Sequence, residues 1–213
     1  MRREIDWDFY FITDSSLTRQ DYLKDSEDAI RGGAKVVQYR EKGRQVGELE
    51  AEARRLLAIC REAEVDFVVN DSPELAAAIG ADGVHIGPKD VPLSRARMVF
   101  PNGIIGVSCG SVEEVKRAEA GGADYIAASP VFFTSTKRDI GKPLGLEGIT
   151  AFRIATELPI VAIGGITLAN VREVVTAGAD SACAISATVG TPDVAWSVRE
   201  FEARIKKAKE ERE

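Results

Sequence analysis

Residues 80–90 read GADGVHIGPKD, and the order of side chains within them decides the fold. Gly80 closes an amphipathic stretch and can adopt the left-handed conformation that stops a helix; a short turn then feeds an apolar strand at 83–86. Past the strand the chain turns polar at Lys89 and Asp90. The same small-residue turn recurs as GGAK (32–35), GGAD (121–124) and GAD (178–180). The same passage from apolar to polar recurs in VVQYREK (36–42), FVVND (67–71), IIGVS (104–108), YIAASPVFFTSTK (125–137), PIVAIGG (159–165) and SACAIS (181–186). Strands are expected near 8–13, 35–39, 66–69, 83–86, 104–107, 124–128, 159–163 and 181–185. Helices are expected near 21–31, 46–63, 73–79, 92–99, 111–120, 148–156, 168–177 and 193–209. Eight βα units in a little over 200 residues suit one α/β domain, a (β/α)₈ TIM barrel over residues 1–213, better than a doubly wound open sheet, which has fewer strands and exposed edges. If the strands are parallel, all the polar residues after them meet at one end.

Composition agrees with one compact globular domain: the chain has 213 residues, 45% hydrophobic and 29% charged. No apolar run reaches the roughly 20 residues needed to span a bilayer, and MRREIDWDF lacks the apolar core of a signal peptide, so a cytoplasmic protein with no membrane partner is expected. Cys60, Cys109 and Cys183 are odd in number and set in apolar surroundings, which suits buried thiols. A net charge of −6 argues against a broad nucleic-acid surface and leaves room for a local basic pocket. A homodimer is compatible with the chain, but periodicity assigns no interface.

In a barrel the strand C-termini carry the active site. Arg40 and Lys42 beyond strand 2 can project two cations in one direction toward a phosphorylated ligand, or form a solvated basic turn. Asp71 and Asp90 follow neighbouring strands 3 and 4. Such a pair suits Mg²⁺, which joins one or two carboxylates to substrate phosphates; taken singly, each is equally a helix cap or a turn residue. Gly164 and Gly165 after strand 7, with a helix starting just beyond them, and Ser186 after strand 8 form a frequent phosphate site of this fold. The long segment 132–146 interrupts the short βα pattern, and Thr134, Thr136 and Lys137 on it can bind anionic oxygens. His85, the only histidine, lies within strand 4 and reads as structural.

The ordered set VQYREK, VND, GADGVHIGPKD, GVS, PVFFTSTK, IGGI and AIS resembles the thiamine phosphate synthase (thiamine-phosphate pyrophosphorylase) family across essentially the whole chain. The resemblance implies a transferase of thiamine biosynthesis. It would join 4-amino-2-methyl-5-hydroxymethylpyrimidine diphosphate to the phosphorylated hydroxyethyl-methylthiazole, with Mg²⁺, giving thiamine phosphate and diphosphate. It puts Gln38 on the pyrimidine and Arg40, Lys42, Asn70, Ser108 and Lys137 around its diphosphate, with Arg40, Lys42, Ser108 and Lys137 assisting catalysis. Asp71 and Asp90 become the metal ligands. Thr134, Thr136, Gly165, Ile185 and Ser186 match positions that hold the thiazole phosphate, and Tyr39, Glu41 and Ser135 fall within the substrate-binding motifs. The chemistry it implies is dissociative and needs no protein nucleophile. Pro88 stands where the family often has GQxD; the expectation is that an amide contact is lost while Asp90 stays in place.

Two other functions share parts of this pattern. A thiazole tautomerase would share the barrel and the thiazole phosphate site, but its histidine after strand 6 is absent and Pro130 occupies that region. A noncatalytic sensor of thiamine precursors could keep the phosphate pocket, yet has no evident use for both carboxylates and all three cations.

Overall fold

The computed structural model describes residues 5–41, 46–134 and 142–212. Eight strands form one parallel sheet in sequential order: β1 (Tyr10–Ile12), β2 (Val36–Tyr39), β3 (Asp66–Asn70), β4 (Gly83–Ile86), β5 (Ile104–Cys109), β6 (Tyr125–Ala128), β7 (Ile160–Ile163) and β8 (Ser181–Cys183). A parallel bridge between Phe9 and Ala182 closes the ring, and the Ala182 N–H donates to the Asp8 carbonyl at 3.1 Å. Closure removes both sheet edges. Each strand is followed by a helix: α1 (Tyr22–Gly32), α2 (Val46–Glu62), α3 (Pro73–Ile79), α4 (Leu93–Val99), α5 (Val112–Ala120), α6 (Gly145–Ala155), α7 (Val171–Thr176) and α8 (Val194–Arg212). This is the (β/α)₈ barrel expected from the sequence. Among the described residues no helix is long and apolar enough to cross a membrane.

The recurring small-residue turns act as the sequence suggests. Gly33, Gly80, Gly122 and Gly178 all have positive φ, 71° to 123°, where an L side chain is strained. Two elements differ in extent from the expectation. α6 begins at Gly145, three residues early, because the Leu144 and Gly145 amides donate to the carbonyls of Pro130 and Val131 and start the helix against the 130–131 turn. α7 begins late, at Val171, because Asn170 accepts from the Thr167 amide and holds 167–170 as a separate turn.

Alternation along the strands divides the interior into two cores. Outward residues such as Phe9, Phe11, Val37, Tyr39, Phe67, Val84, Ile105, Ile126 and Ile160 pack under the helices. Inward residues Tyr10, Ile12, Val36, Val68, Ile104, Tyr125, Ala127, Val161 and Cys183 fill the barrel above Trp7. Burying each large apolar side chain contributes about 1.5–3 kcal/mol, so parity along a strand is strongly enforced. The Trp7 ring meets Tyr10 and Tyr125 edge-on, each at 5.3 Å, and plugs the lower end. Tyr125 lies across β5 because Gly106 has no side chain; a Cβ there would be 1.9 Å from the Tyr125 ring. α8 returns to the start of the chain, where Phe201 stacks on Phe9 at 4.9 Å.

Candidate active site

Above the inner core, at the C-terminal ends of the strands, lies a cavity of about 490 Å³. Its deepest lining is Tyr10, Tyr125, Val161 and Cys183, all buried, and its outer lining includes the exposed Asp71, Lys89 and Ser186. Gln38, Arg40, Asn70, Asp71, Asp90, Ser108, Thr134, Gly165, Ile185 and Ser186 all line it. The fold therefore brings together ten positions that span 149 residues of sequence, from 38 to 186.

Each inward strand residue reaches the cavity by the two-residue period of its strand. On β2, Gln38 and Arg40 face in while Tyr39 faces out. Its ring packs against Tyr22 of α1 at 5.9 Å, and its hydroxyl donates to Glu52 of α2 at 2.8 Å. Tyr39 thus belongs to the outer core, apart from the cavity. Glu41 also stays off the cavity wall; it accepts from the Ser15 hydroxyl at 2.7 Å. Lys42, Ser135, Thr136 and Lys137 lie outside the described residues.

Arg40 is held in place from β1. Its guanidinium pairs with Asp14 at 3.0 Å, and its amide donates to the Thr13 hydroxyl at 2.9 Å. Only 17% of the Arg40 side chain and 6% of Asp14 are exposed, so the guanidinium is held on the cavity wall by a largely desolvated partner. Asp14 was not foreseen, because the pairing joins two loops 26 residues apart.

The carboxylates after β3 and β4 are set by local backbone. Asp71 has φ 66°, an uncommon value for a residue other than glycine and one frequent at functional sites. Its amide donates to the His85 carbonyl at 2.8 Å, which ties it to β4. The helix cap of α3 is Ser72, whose hydroxyl accepts from the Leu75 amide at 3.2 Å, so Asp71 is not the capping residue. Asp90 Oδ2 accepts from the Gly87 amide at 2.7 Å across Pro88 and Lys89. The loop carrying Pro88 therefore keeps Asp90 on the cavity wall.

At the end of β7 the two glycines have a packing cause that the sequence did not reveal. The segment after β6 crosses them: the Val131 and Phe132 amides donate to the carbonyls of Ile163 and Gly164, both at 2.9 Å. A Cβ on Gly165, at φ 66°, would sit 2.5 Å from the Phe133 carbonyl oxygen, and one on Gly164, at φ 106°, would sit 2.8 Å from Pro130. The glycines thus admit the 130–133 segment. The helix expected just beyond them begins six residues after Gly165, at Val171.

The cavity also contains two tyrosines, Tyr10 and Tyr125, that motif reading passed over. Gln38 Nε2 donates to the Tyr10 hydroxyl at 2.9 Å, and Tyr10 meets the Tyr125 hydroxyl at 2.8 Å. Tyr125 in turn meets His85 Nδ1 at 3.0 Å, and His85 Nε2 meets the Ser108 hydroxyl at 2.9 Å. Burial pushes the phenols of Tyr10 and Tyr125 well above their ordinary pKa, so both are neutral at physiological pH. The available signal for Tyr10 and Tyr125 was a tyrosine at an inward strand position, which a sequence alone does not distinguish from an ordinary core aromatic.

With this geometry in hand, similarity to known proteins narrows the chemistry. The family model described as thiamine monophosphate synthase matches residues 9–188. A thiamine-phosphate synthase of Chloroflexus aurantiacus is 42% identical over 202 residues, covering 94% of each chain. One of Methanocella arvoryzae is 45% identical over 201 residues, covering 93% of this chain and 95% of its own. A solved thiamine phosphate pyrophosphorylase from Pyrococcus furiosus superposes with a TM-score of 0.89 at 36% identity, covering 96% of this chain and 98% of its own.

Proposed function

The chain belongs to the thiamine monophosphate synthase family, and from that premise we propose how its cavity carries out the reaction named by its relatives. The enzyme is a transferase that joins 4-amino-2-methyl-5-hydroxymethylpyrimidine diphosphate to the thiazole phosphate, releasing diphosphate. One observation carries the assignment of residues: a single cavity gathers Gln38, Arg40, Asn70, Asp71, Asp90 and Ser108 on one side and Gly165, Ile185 and Ser186 on the other. Two anionic substrates need two sets of polar or backbone contacts, and residues in or just after β2–β5 and residues just after β7–β8 are the sets assigned to them.

Gln38 holds the pyrimidine against the apolar depth of the barrel. Arg40, Asn70 and Ser108 bind the diphosphate. As its carbon–oxygen bond breaks, the electron pair leaves with diphosphate and a methylene cation remains, stabilised by the aminopyrimidine; the thiazole nitrogen then forms the new carbon–nitrogen bond. Charge on the leaving diphosphate grows along this path, so a guanidinium already fixed by Asp14 stabilises the transition state more than the ground state. The backbone at Gly165 and the residues Ile185, Ser186 and Thr134 hold the thiazole phosphate, and alignment of the two rings contributes by proximity. Lys42, Ser135, Thr136 and Lys137 join these groups by family resemblance alone.

The donor set suits Mg²⁺. Asp71 and Asp90 are hard oxygen ligands at adjacent strand ends, and among the described residues no cluster of three or more His, Cys, Asp or Glu side chains forms a dedicated metal cage. Magnesium commonly takes one or two carboxylates and completes its octahedron with phosphate oxygens and water. When bound it would neutralise charge on the diphosphate.

An assay of diphosphate release with both substrates tests this reading. Release should require both substrates and a divalent cation. A thiazole tautomerase would turn over its single thiazole substrate without releasing diphosphate, and a sensor would bind without turnover. Either result would overturn the assignment.

A further inference from the structure

Gln38, Tyr10, Tyr125, His85 and Ser108 form a continuous hydrogen-bonded chain through five strands, from β2 to β5 by way of β1, β6 and β4. The chain has a direction. The Gln38 amide nitrogen can only donate, so the Tyr10 oxygen accepts. Among the described residues the Tyr10 hydroxyl meets only Gln38 and Tyr125, and of these two only the Tyr125 oxygen can accept its proton. Tyr125 then donates its own proton to His85 Nδ1. An imidazole that accepts at Nδ1 carries its proton at Nε2 and donates there, to the Ser108 oxygen. With its oxygen already accepting from His85, the Ser108 hydroxyl keeps its own proton for a group in the cavity.

We infer that His85 is a positioning residue that sets Ser108 as a hydrogen-bond donor toward the diphosphate, its tautomer being imposed by the chain that starts at Gln38. This rests on the reading that diphosphate binds beside Ser108. The opposite tautomer would accept from Ser108 and turn oxygen lone pairs toward an anion, which repels it. The chain also links the two ends of the first substrate's site. Gln38 on the pyrimidine side and Ser108 on the diphosphate side are ordered together, and bonds in such a series polarise one another.

Because His85 is the only histidine, ¹⁵N labelling of histidine reads its tautomer without assignment ambiguity. The ring shifts of the wild type should show Nε2 protonated and Nδ1 bare, and Tyr125→Phe, which removes the donor to Nδ1, should populate the Nδ1–H form. A wild-type Nδ1–H ring, or an unchanged tautomer in Tyr125→Phe, overturns the inference. In kinetics, His85→Phe keeps a ring stacked near Tyr125 and should lower kcat by ~10–100-fold with little change in KM for thiazole phosphate. His85→Gln, whose amide can still donate to Ser108, should recover part of that loss. If His85 acts through Ser108, His85→Phe should cost less than twofold in a Ser108→Ala background; a full multiplicative loss there, or no recovery with Gln, removes the positioning role. Should the wild type release no diphosphate at all, the proposed reaction fails, while the NMR measurement still decides the direction of the chain.

Discussion

The two ends of the barrel are built from the same repeat and use their carboxylates oppositely. At the N-terminal end, aspartates from the small-residue turns accept from amides in the first two residues of neighbouring strands: Asp82 from Phe67, Asp124 from Ile105 and Asp180 from Ile160, at 2.8–2.9 Å. Glu202 of α8 does the same for Phe9 at 2.9 Å. Two of these aspartates also bind arginines, Arg97 to Asp124 at 2.6 Å and both Arg153 and Arg212 to Asp180 at 2.9 and 3.1 Å. At the C-terminal end, Asp71 and Asp90 instead line a cavity. A carboxylate that answers a strand amide and an arginine contributes to folding; one that borders open space can take a cation and a substrate. Asp14 shows that pairing also occurs at the C-terminal end, where it holds Arg40 on the cavity wall.

The contrast predicts that mutations at the two ends separate activity from stability. Asp71→Asn and Asp90→Asn should each lower turnover by ~10²–10³-fold and leave Tm within a few degrees of wild type, as checked by diphosphate release and thermal melting. Asp124→Ala should do the reverse. It leaves the Ile105 amide and the Arg97 guanidinium without their acceptor, for a loss of about 2–4 kcal/mol in denaturant titration, while kcat of the folded fraction stays within about twofold. Loss of activity per folded molecule in Asp124→Ala would break the division between the ends.

A smaller effect is expected at the end of β7, where the 130–133 segment crosses Gly165. Gly165→Val would push the Phe132–Phe133 backbone off the end of β7, and should raise KM for thiazole phosphate by ~10-fold or more while changing KM for the pyrimidine diphosphate little. Equal changes in both constants would place the 130–133 segment over the whole cavity.

The smallest effect concerns pH and the lower end alone. Burial raises the Glu202 carboxyl above the ordinary glutamate value, against the opposing pull of the Phe9 amide and Lys206. The folded protein then holds this proton to higher pH than the unfolded chain does. Stability from this group is present below the ordinary glutamate range of about 4.3 and is lost as pH rises through the higher folded value. Glu202→Gln keeps an oxygen for the Phe9 amide and removes the titration, so its stability should fall less over that window than the wild type's, by under ~1 kcal/mol in urea melts at successive pH. A steeper fall in the variant would mean that the Phe9 amide and Lys206 outweigh burial at Glu202.

Most of the fold was legible in the sequence. Each strand with its helix is a local unit, the helix-stopping glycines at 33, 80, 122 and 178 sit where their φ demands them, and sequential parallel strands leave few topologies. Much of the cavity lining was legible too, since polar residues placed after parallel strands converge at one end. The exceptions are instructive. Tyr39 sits inside the motif VQYREK yet points to the helices, since adjacent strand residues face opposite ways and a motif does not record which parity is inward. Gly164 and Gly165 read as an anion site, but the structure gives them a backbone neighbour from the β6 end.

The order of βα units, the parallel barrel and family membership follow from the sequence by itself, because each rests on spacing within about 30 residues or on side-chain identity. Tertiary structure alone decided which side chains answer one another. Arg40 finds Asp14, Tyr10 finds Tyr125 across 115 residues, and His85 finds Ser108. The first and last of these depend on the register of neighbouring strands, β1 with β2 and β4 with β5, and the Tyr10–Tyr125 pair on the curling of the sheet that brings β1 to β6 across the interior; no local periodicity relates any of them. The polarity of the chain from Gln38 to Ser108 emerges only there, since a proton's direction is set by its neighbours in space.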